Sequence, residues 1–417
     1  MQQYPAPRKR AITLIESLRS GIPTRLSTRE LPDLRAGLTQ QMQEDLQTFG
    51  SQTCGRLIWG AYGQGKTHAL TSIEHLALDM GFAVSRVALS REVSCHHLLN
   101  FYSRVASILR LPDKQGFGLA HPLSHKTTSQ LAQSPLAQAD RYSHPLPALI
   151  LEDSFYAIGD DQELLFGDLA GTRLTLPELR RIHRDCRGGS LPRFPVSFKA
   201  SEHASAYFGV LADAIVLAGY KGWVILIDEV ELIGRLGKLG RLQAYRHLNW
   251  LLRWSSQANP YPVYTVGMAA SSLRHDVWFS GHLTPTARHD RALIPALAAE
   301  RLGETVAQDL IRFFDQAISS HCPSIQPLRS QDLVILLNKI VDLHSIAYDW
   351  QPQVDVLALI ESVGSQPIRT HLRATLEALD MAYLYHTDLK PHAVELQEAS
   401  LQEDESFFSS LAQDSSA

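Results

Sequence analysis

Gly60-Ala61-Tyr62-Gly63-Gln64-Gly65-Lys66-Thr67 fits the pattern G-x4-G-K-[ST] in full, and no other stretch of the chain restricts the fold as much. Arg56-Leu57-Ile58-Trp59 before it reads as a short apolar strand. Ala69, Leu70, Ile73, Leu76 and Ala77 after it recur at helical spacing. The glycines let successive backbone N–H groups turn inward around phosphate oxygens with no Cβ in the way. A helix beginning near Lys66 points the positive end of its dipole at the same anion. Lys66 is then placed to reach the β- and γ-phosphates, and the Thr67 hydroxyl to ligate Mg2+. Phe82–Leu89 is a second strand, so the order strand, loop, helix, strand predicts an α/β fold with a parallel sheet.

The strongest buried-strand signal is Trp223-Val224-Ile225-Leu226-Ile227, which ends in Asp228-Glu229. Asp228 can hold Mg2+ directly or through a water, and Glu229 can orient and deprotonate a water attacking the γ-phosphate. The expectation is a nucleotide hydrolase. Asp228 lies 162 residues beyond Lys66, more than a compact phosphate-loop core needs, so an insertion is expected at roughly 100–200.

Composition excludes other classes. With 417 residues, 45% hydrophobic and 20% charged, the chain is globular, and whole-chain disorder is ruled out. Cys54, Cys95, Cys186 and Cys322 form no CxxC pair, which argues against a zinc ribbon or disulfide framework and for reduced thiols. Adjacent His96 and His97 beside Cys95 point in different directions on a helix, and no second ligand pair lies at metal spacing. No run of about 18 apolar residues exists to span a membrane, and MQQYPAPRKRAITL lacks a signal-peptide core. A cytoplasmic protein with no membrane partner is expected.

The chain divides into a basic helical lead-in packed on the core (1–50), an α/β core (51–99 and 200–295), an insertion (100–199), a helical lid (296–390) and an acidic tail (391–417). Residues 111–146, rich in Gln, Ser and His, read as a partly mobile surface segment. Helices are expected at about 241–255, 304–320, 331–346, 353–362 and 367–386, and a strand at 262–268. Arg187-Gly188-Gly189, Arg193 and Lys199, interleaved with Phe194 and Phe198, are a candidate grip for a nucleic-acid backbone, with a solvated loop as the alternative. The formal charge of −4 conceals an asymmetry. The first 35 residues hold seven basic against three acidic side chains, and the tail holds six acids and no base. Contact with a phosphate backbone is therefore not excluded by the total.

Several segments resemble the BREX-system ATP-binding proteins, the BrxC/BrxD-type P-loop family. They are Arg8-Lys9-Arg10-Ala11-Ile12 with Leu18–Arg25, then GAYGQGKTHAL, FAVSRVALSRE, LLFGDLAGTRLTLPELRRIHR and, most distinctive, GWVILIDEVELIGRLGKLGRLQAYRHLNWLL. The likeness runs over roughly 8–385 and is strongest at 8–25, 55–91 and 221–252. The resemblance implies a P-loop NTPase fold like that of AAA+ ATPases of the origin-recognition and helicase-loader kind. It implies ATP and Mg2+ as ligands, the phosphate loop extended through His68, and a place in bacterial anti-phage defence. Implied partners are a helicase or other defence-system protein, further copies of the chain, and DNA.

The same likeness implies accessory residues. A polar sensor belongs at the end of the fourth core strand, where Ser271 is the candidate and Thr265 the alternative. Gly364-Ser365-Gln366-Pro367-Ile368-Arg369 resembles the G-x-x-R element of origin-recognition ATPases, whose arginine touches the γ-phosphate. An arginine finger for a neighbouring subunit is sought among Arg235, Arg241 and Arg246, with Arg241 favoured. Two functional readings follow: an ATPase coupling turnover to partner assembly, or a slow nucleotide-dependent switch that loads or assembles on DNA.

Overall fold

A computed structural model of the chain describes residues 6–20, 24–50, 53–112, 122–123, 125–256, 259–278, 289–319 and 322–385. Five parallel strands form one sheet: β1 (Arg56–Gly60), β2 (Ala83–Ala88), β3 (Trp223–Asp228), β4 (Val263–Ala270) and β5 (Ser324–Ile325). Their order is β2-β3-β4-β1-β5. The register sets Gly60 opposite Ala270 and Ala88 opposite Asp228, so the carboxyl ends of four strands share one edge. In open α/β sheets that edge is where ligands bind.

Period-2 alternation divides each strand between two cores. Leu57 and Trp59, with Trp223, Ile225 and Ile227, face the larger core; Ile58, Val224, Leu226, Val266 and Met268 face the smaller. The smaller core is closed by α3 (Ala36–Gln47), through Met42 and Leu46, and by α4 (Lys66–Asp79), through Ala69, Leu70, Ile73 and Ala77. The larger takes in α5 (Leu98–Ser107), α10 (Ala200–Leu217), α11 (Lys238–Leu251), α12 (Asp290–Leu302) and α13 (Glu304–Ala317).

Between α5 and α10 lie α6 (Thr128–Ala132), α7 (Leu146–Ser154), α8 (Asp160–Leu169) and α9 (Leu176–Arg187). These helices fall within the stretch read as an insertion, and its described residues are held to the core. Leu111, Leu123, Leu131, Leu136 and Tyr142 are buried in the larger core, and Tyr142 and Arg141 both bond Asp213 of α10. Leu131 sits on the five-residue α6 and Leu136 in a 3-10 turn, both too short for a helical period to advertise them. Residues 113–121 and 124 lie outside the described residues.

The lid also differs from expectation. Helices α12 and α13 pack on α11, so they belong to the core. A separate cluster joins α14 (Ser330–Tyr348) and α16 (Ile368–Tyr385), through Leu336, Ile340, Leu343, Leu376 and Leu379, to α1 (Ala6–Ser20), through Ala11, Leu14, Ile15 and Leu18. Helix α15 (Val356–Val363) packs on both α14 and α16. The first helix of the lead-in is thus part of the lid, tied by Arg8 Nε to the Ala347 carbonyl at 3.0 Å and by Arg19 to Asp380. Only α3 and the short α2 (Arg25–Glu30) rest on the core side, against α4. The acidic tail falls outside the described residues. Among those residues no helix is long and apolar enough to cross a membrane.

Candidate functional site

The phosphate loop has the backbone that its glycines permit. Gly63 and Gly65 take φ of +75° and +86°, and Gly65 caps α4 in the left-handed region. A Cβ on Gly60 would lie 3.2 Å from Cγ of Lys66, so the missing side chain is what lets the lysine stem pass. Lys66 is 7% exposed, and its Nζ donates to the carbonyls of Gly60 (3.1 Å) and Ala61 (3.4 Å). Those are weak acceptors for a full positive charge, and a phosphate would outcompete them. The turn, the α4 N-terminus and the lysine therefore fit a nucleotide's phosphates.

Asp228 ends β3, is 5% exposed, and accepts the Glu229 N–H at 3.1 Å. Glu229 follows with φ 57° and ψ 37°, left-handed for a residue with a Cβ, and begins a 3-10 turn over Val230–Arg235. Such a backbone costs about 1–2 kcal/mol and aims the carboxylate into the site. With the Thr67 hydroxyl, Asp228 supplies oxygen donors of the kind Mg2+ takes.

A cavity of about 400 Å³ opens over this edge. Tyr62, Gly63, Gln64, Gly65, Lys66, Thr67 and His68 line one side, and Glu229 lines it too. Leu31, Leu34 and Leu38 of the lead-in, with Leu328, Leu336, Ile368 and Leu372, give the rest an apolar wall. Burial pushes the His68 imidazole below its ordinary pKa. The size and the pairing of a charged end with an apolar end suit a nucleotide.

Arg369 reaches the loop from the lid. Its N–H meets the Gly63 carbonyl at 3.4 Å, its Nη1 donates to the Tyr62 hydroxyl at 3.1 Å, and its guanidinium lies 5.8 Å from that ring's centre. A Cβ on Gly63 would come within 2.8 Å of Pro367, so this glycine also permits the lid's approach. Ser271 directly follows β4, one residue past the Ala270–Gly60 pair, and so lies at the site edge. Thr265 sits mid-strand, fully buried opposite Ile225, too deep in the sheet to sense a phosphate.

Arg241 requires a correction. A finger must project toward a neighbour, but Arg241 is 5% exposed, pairs with Asp290 at 3.0 Å and donates to the Leu236 carbonyl at 2.8 Å. Breaking such a pair leaves a buried charge unpaired, so the role here is structural. Arg246 is exposed on α11 and donates to Gln243; Arg235 is half-buried at the end of the 3-10 turn. Phe194 and Phe198 pack edge-on against His144, and Arg187 stacks on Tyr156 beside Glu152, so this loop's aromatics are not free for bases. Burial pushes the Cys95 thiol up to about 12, and among the described residues no group of three His, Cys, Asp or Glu can hold a metal ion.

Three residues of the site were not legible beforehand. Arg35 of the lead-in bridges the Gln64 carbonyl (2.9 Å) and the Gln326 carbonyl (3.0 Å), holding the loop to the strand beside it. Arg86 of β2 donates to Thr71 (2.6 Å), meets the Thr67 carbonyl (3.4 Å) and lies 3.8 Å from Asp228. Glu231, in the 3-10 turn, is 7% exposed, and its Oε2 accepts the Ala270 N–H at 2.8 Å. All three are brought in by contacts that no local pattern announces. The one available signal was the Asp-x-x-Glu spacing after β3.

Comparison with known proteins addresses the first part of this assembly. Residues 6–123 match the family model described as BREX system ATP-binding protein BrxC/D. Over that stretch, which is less than half of its length, the chain is similar to the BrxC/D family. The match bears out the resemblance read from the sequence and supports ATP as the ligand. It takes in α1 to α5, with the phosphate loop and β2, and ends before β3 and its acids. No curated protein and no solved structure matches the chain.

Proposed function

We propose that this protein is an ATP-hydrolysing, AAA+-like P-loop ATPase of a bacterial anti-phage defence system of the BREX type. Its turnover drives assembly with a helicase or other defence partner, with further copies of itself, and with DNA, in the cytoplasm. The observation that carries this reading is convergence on one cavity: Lys66 from α4, Glu229 from the end of β3 and Arg369 from the lid all line it. Lys66 and the loop amides hold the β- and γ-phosphates; Thr67 and Asp228 would hold Mg2+, which would offset negative charge on the phosphates. Glu229 takes the proton of the attacking water, and Arg369 leaves Tyr62 for the γ-phosphate.

The decisive variant is Glu229→Gln. It is isosteric and leaves Lys66 and the loop intact. Its ATP affinity is expected within about threefold of wild type while turnover falls by about 10²-fold or more, as for loss of a general base. Equilibrium binding and steady-state phosphate release measure the two. Wild-type turnover in this variant would remove Glu229 from the base role.

One observation favours the slower, switch-like reading for the isolated chain. The cations lining the cavity are Arg35, Lys66, His68 when protonated, and Arg369, while Arg241 is consumed in the core. An arginine from a partner would then add to the transition-state charge stabilisation, and turnover would rise on assembly.

A further inference from the structure

Beyond Asp228 and Glu229, the corner at the end of β3 contains a third carboxylate with no assigned task. Glu231 lies behind Glu229 in the 3-10 turn, where Val230 packs within 3.3 Å of a Cβ placed on Gly267. A carboxylate there has been taken out of water at a cost that an apolar residue would not incur. What it gains is a bond from the Ala270 N–H at 2.8 Å, the last amide of β4. Ala270 is also the strand partner of Gly60, the first residue of the phosphate loop. One side chain therefore links the corner that carries Glu229 to the strand end that carries Ser271, across the mouth of the loop.

We propose that Glu231 is a positioning residue of the hydrolysis site, fixing the Ala270–Ser271 corner against the Asp228–Glu229 corner by accepting the Ala270 N–H. The proposal rests on the ATPase reading given above. In-line attack needs a water held between the base and the γ-phosphate, and displacement by about 1 Å of a positioning group costs on the order of 10²-fold. A polar residue at the end of β4 can serve that geometry only if the strand end keeps its distance from Glu229. The groups facing Glu231 are Lys66 and Glu229; burial, with Glu229 adding and Lys66 opposing, pushes its carboxyl up to about 7. A neutral acceptor is thus compatible with the site, and acceptor position is what matters.

Two substitutions separate position from charge. Glu231→Gln keeps an acceptor oxygen at the same reach and removes the charge; Glu231→Asp keeps the charge and withdraws the oxygen by one methylene. Phosphate release and ATP binding are measured for both and for wild type, with thermal melts to confirm folding. Glu231→Gln is expected to retain kcat within about threefold of wild type, and Glu231→Asp to lose about tenfold or more with KM changed less than about threefold. Amide exchange in a peptide spanning 269–272 should be faster in Glu231→Asp and unchanged in Glu231→Gln. The reverse order, with Asp active and Gln impaired, would overturn the proposal, as would wild-type kcat in Glu231→Asp. If wild type itself binds ATP without any turnover, alone or with partners, the ATPase reading falls first, and that result does not depend on the variants.

Discussion

At the scale of single residues, the site is built where local preference is violated. Glu229 sits in left-handed backbone at φ 57°, which only a glycine takes without cost. Strain of this kind persists where surrounding packing over-determines it, here the β3 end and the 3-10 turn. The order of stabilities at this position should therefore be inverted. Glu229→Gly is expected to be more stable than Glu229→Ala by about 1 kcal/mol, whereas glycine is the weaker residue in ordinary backbone. Chemical denaturation of the two variants measures the difference. Equal stabilities, or alanine ahead, would mean that the turn relaxes when the carboxylate is removed.

Among the secondary elements, what was legible depended on whether the constraint was consecutive in sequence. The phosphate loop, β1 and β3 were readable because their chemistry sits within eight or fewer adjacent residues. Helices α13 to α16 were readable from apolar period, and their bounds fall within three residues of expectation. Helix α12 was missed because Pro295 interrupts its pattern, although Pro295 is buried inside the helix. Helix α1 shows an apolar stripe, and a stripe says that a partner exists without saying which. The partner is the lid, and Ile15, fully buried among Leu336, Ile340 and Leu379, is its centre. Ile15→Ala should cost about 2–4 kcal/mol of lid stability. Amide exchange should then accelerate across 330–385 while β3 and β4 stay protected, and ATP affinity should fall, because Ile368, Arg369 and Leu372 line the cavity. Uniform loss of protection over the whole chain would show that lid and core unfold as one unit.

Seen as a whole molecule, the lead-in starts in the lid, crosses the cavity at Leu31–Arg35 and ends on the core, while the lid returns to the phosphate loop through Pro367 and Arg369. Lid, lead-in and core therefore all border the nucleotide's place, and a ligand there would touch all three. Binding to the folded state alone stabilises it by RT ln(1 + [L]/Kd), about 2.7 kcal/mol at a hundredfold excess over Kd. For a chain of this size the melting midpoint should rise by a few degrees. If the lid is held mainly through this junction, ATP should slow amide exchange at α1 and α16 as much as at the phosphate loop, although α1 is far from it in sequence. Lys66→Ala should abolish both effects, because the anion then loses its buried counter-charge, while leaving the ligand-free melt nearly unchanged. Protection confined to the loop and α4 would show that nucleotide and lid are uncoupled, and Arg369 would lose its proposed part in sensing the γ-phosphate.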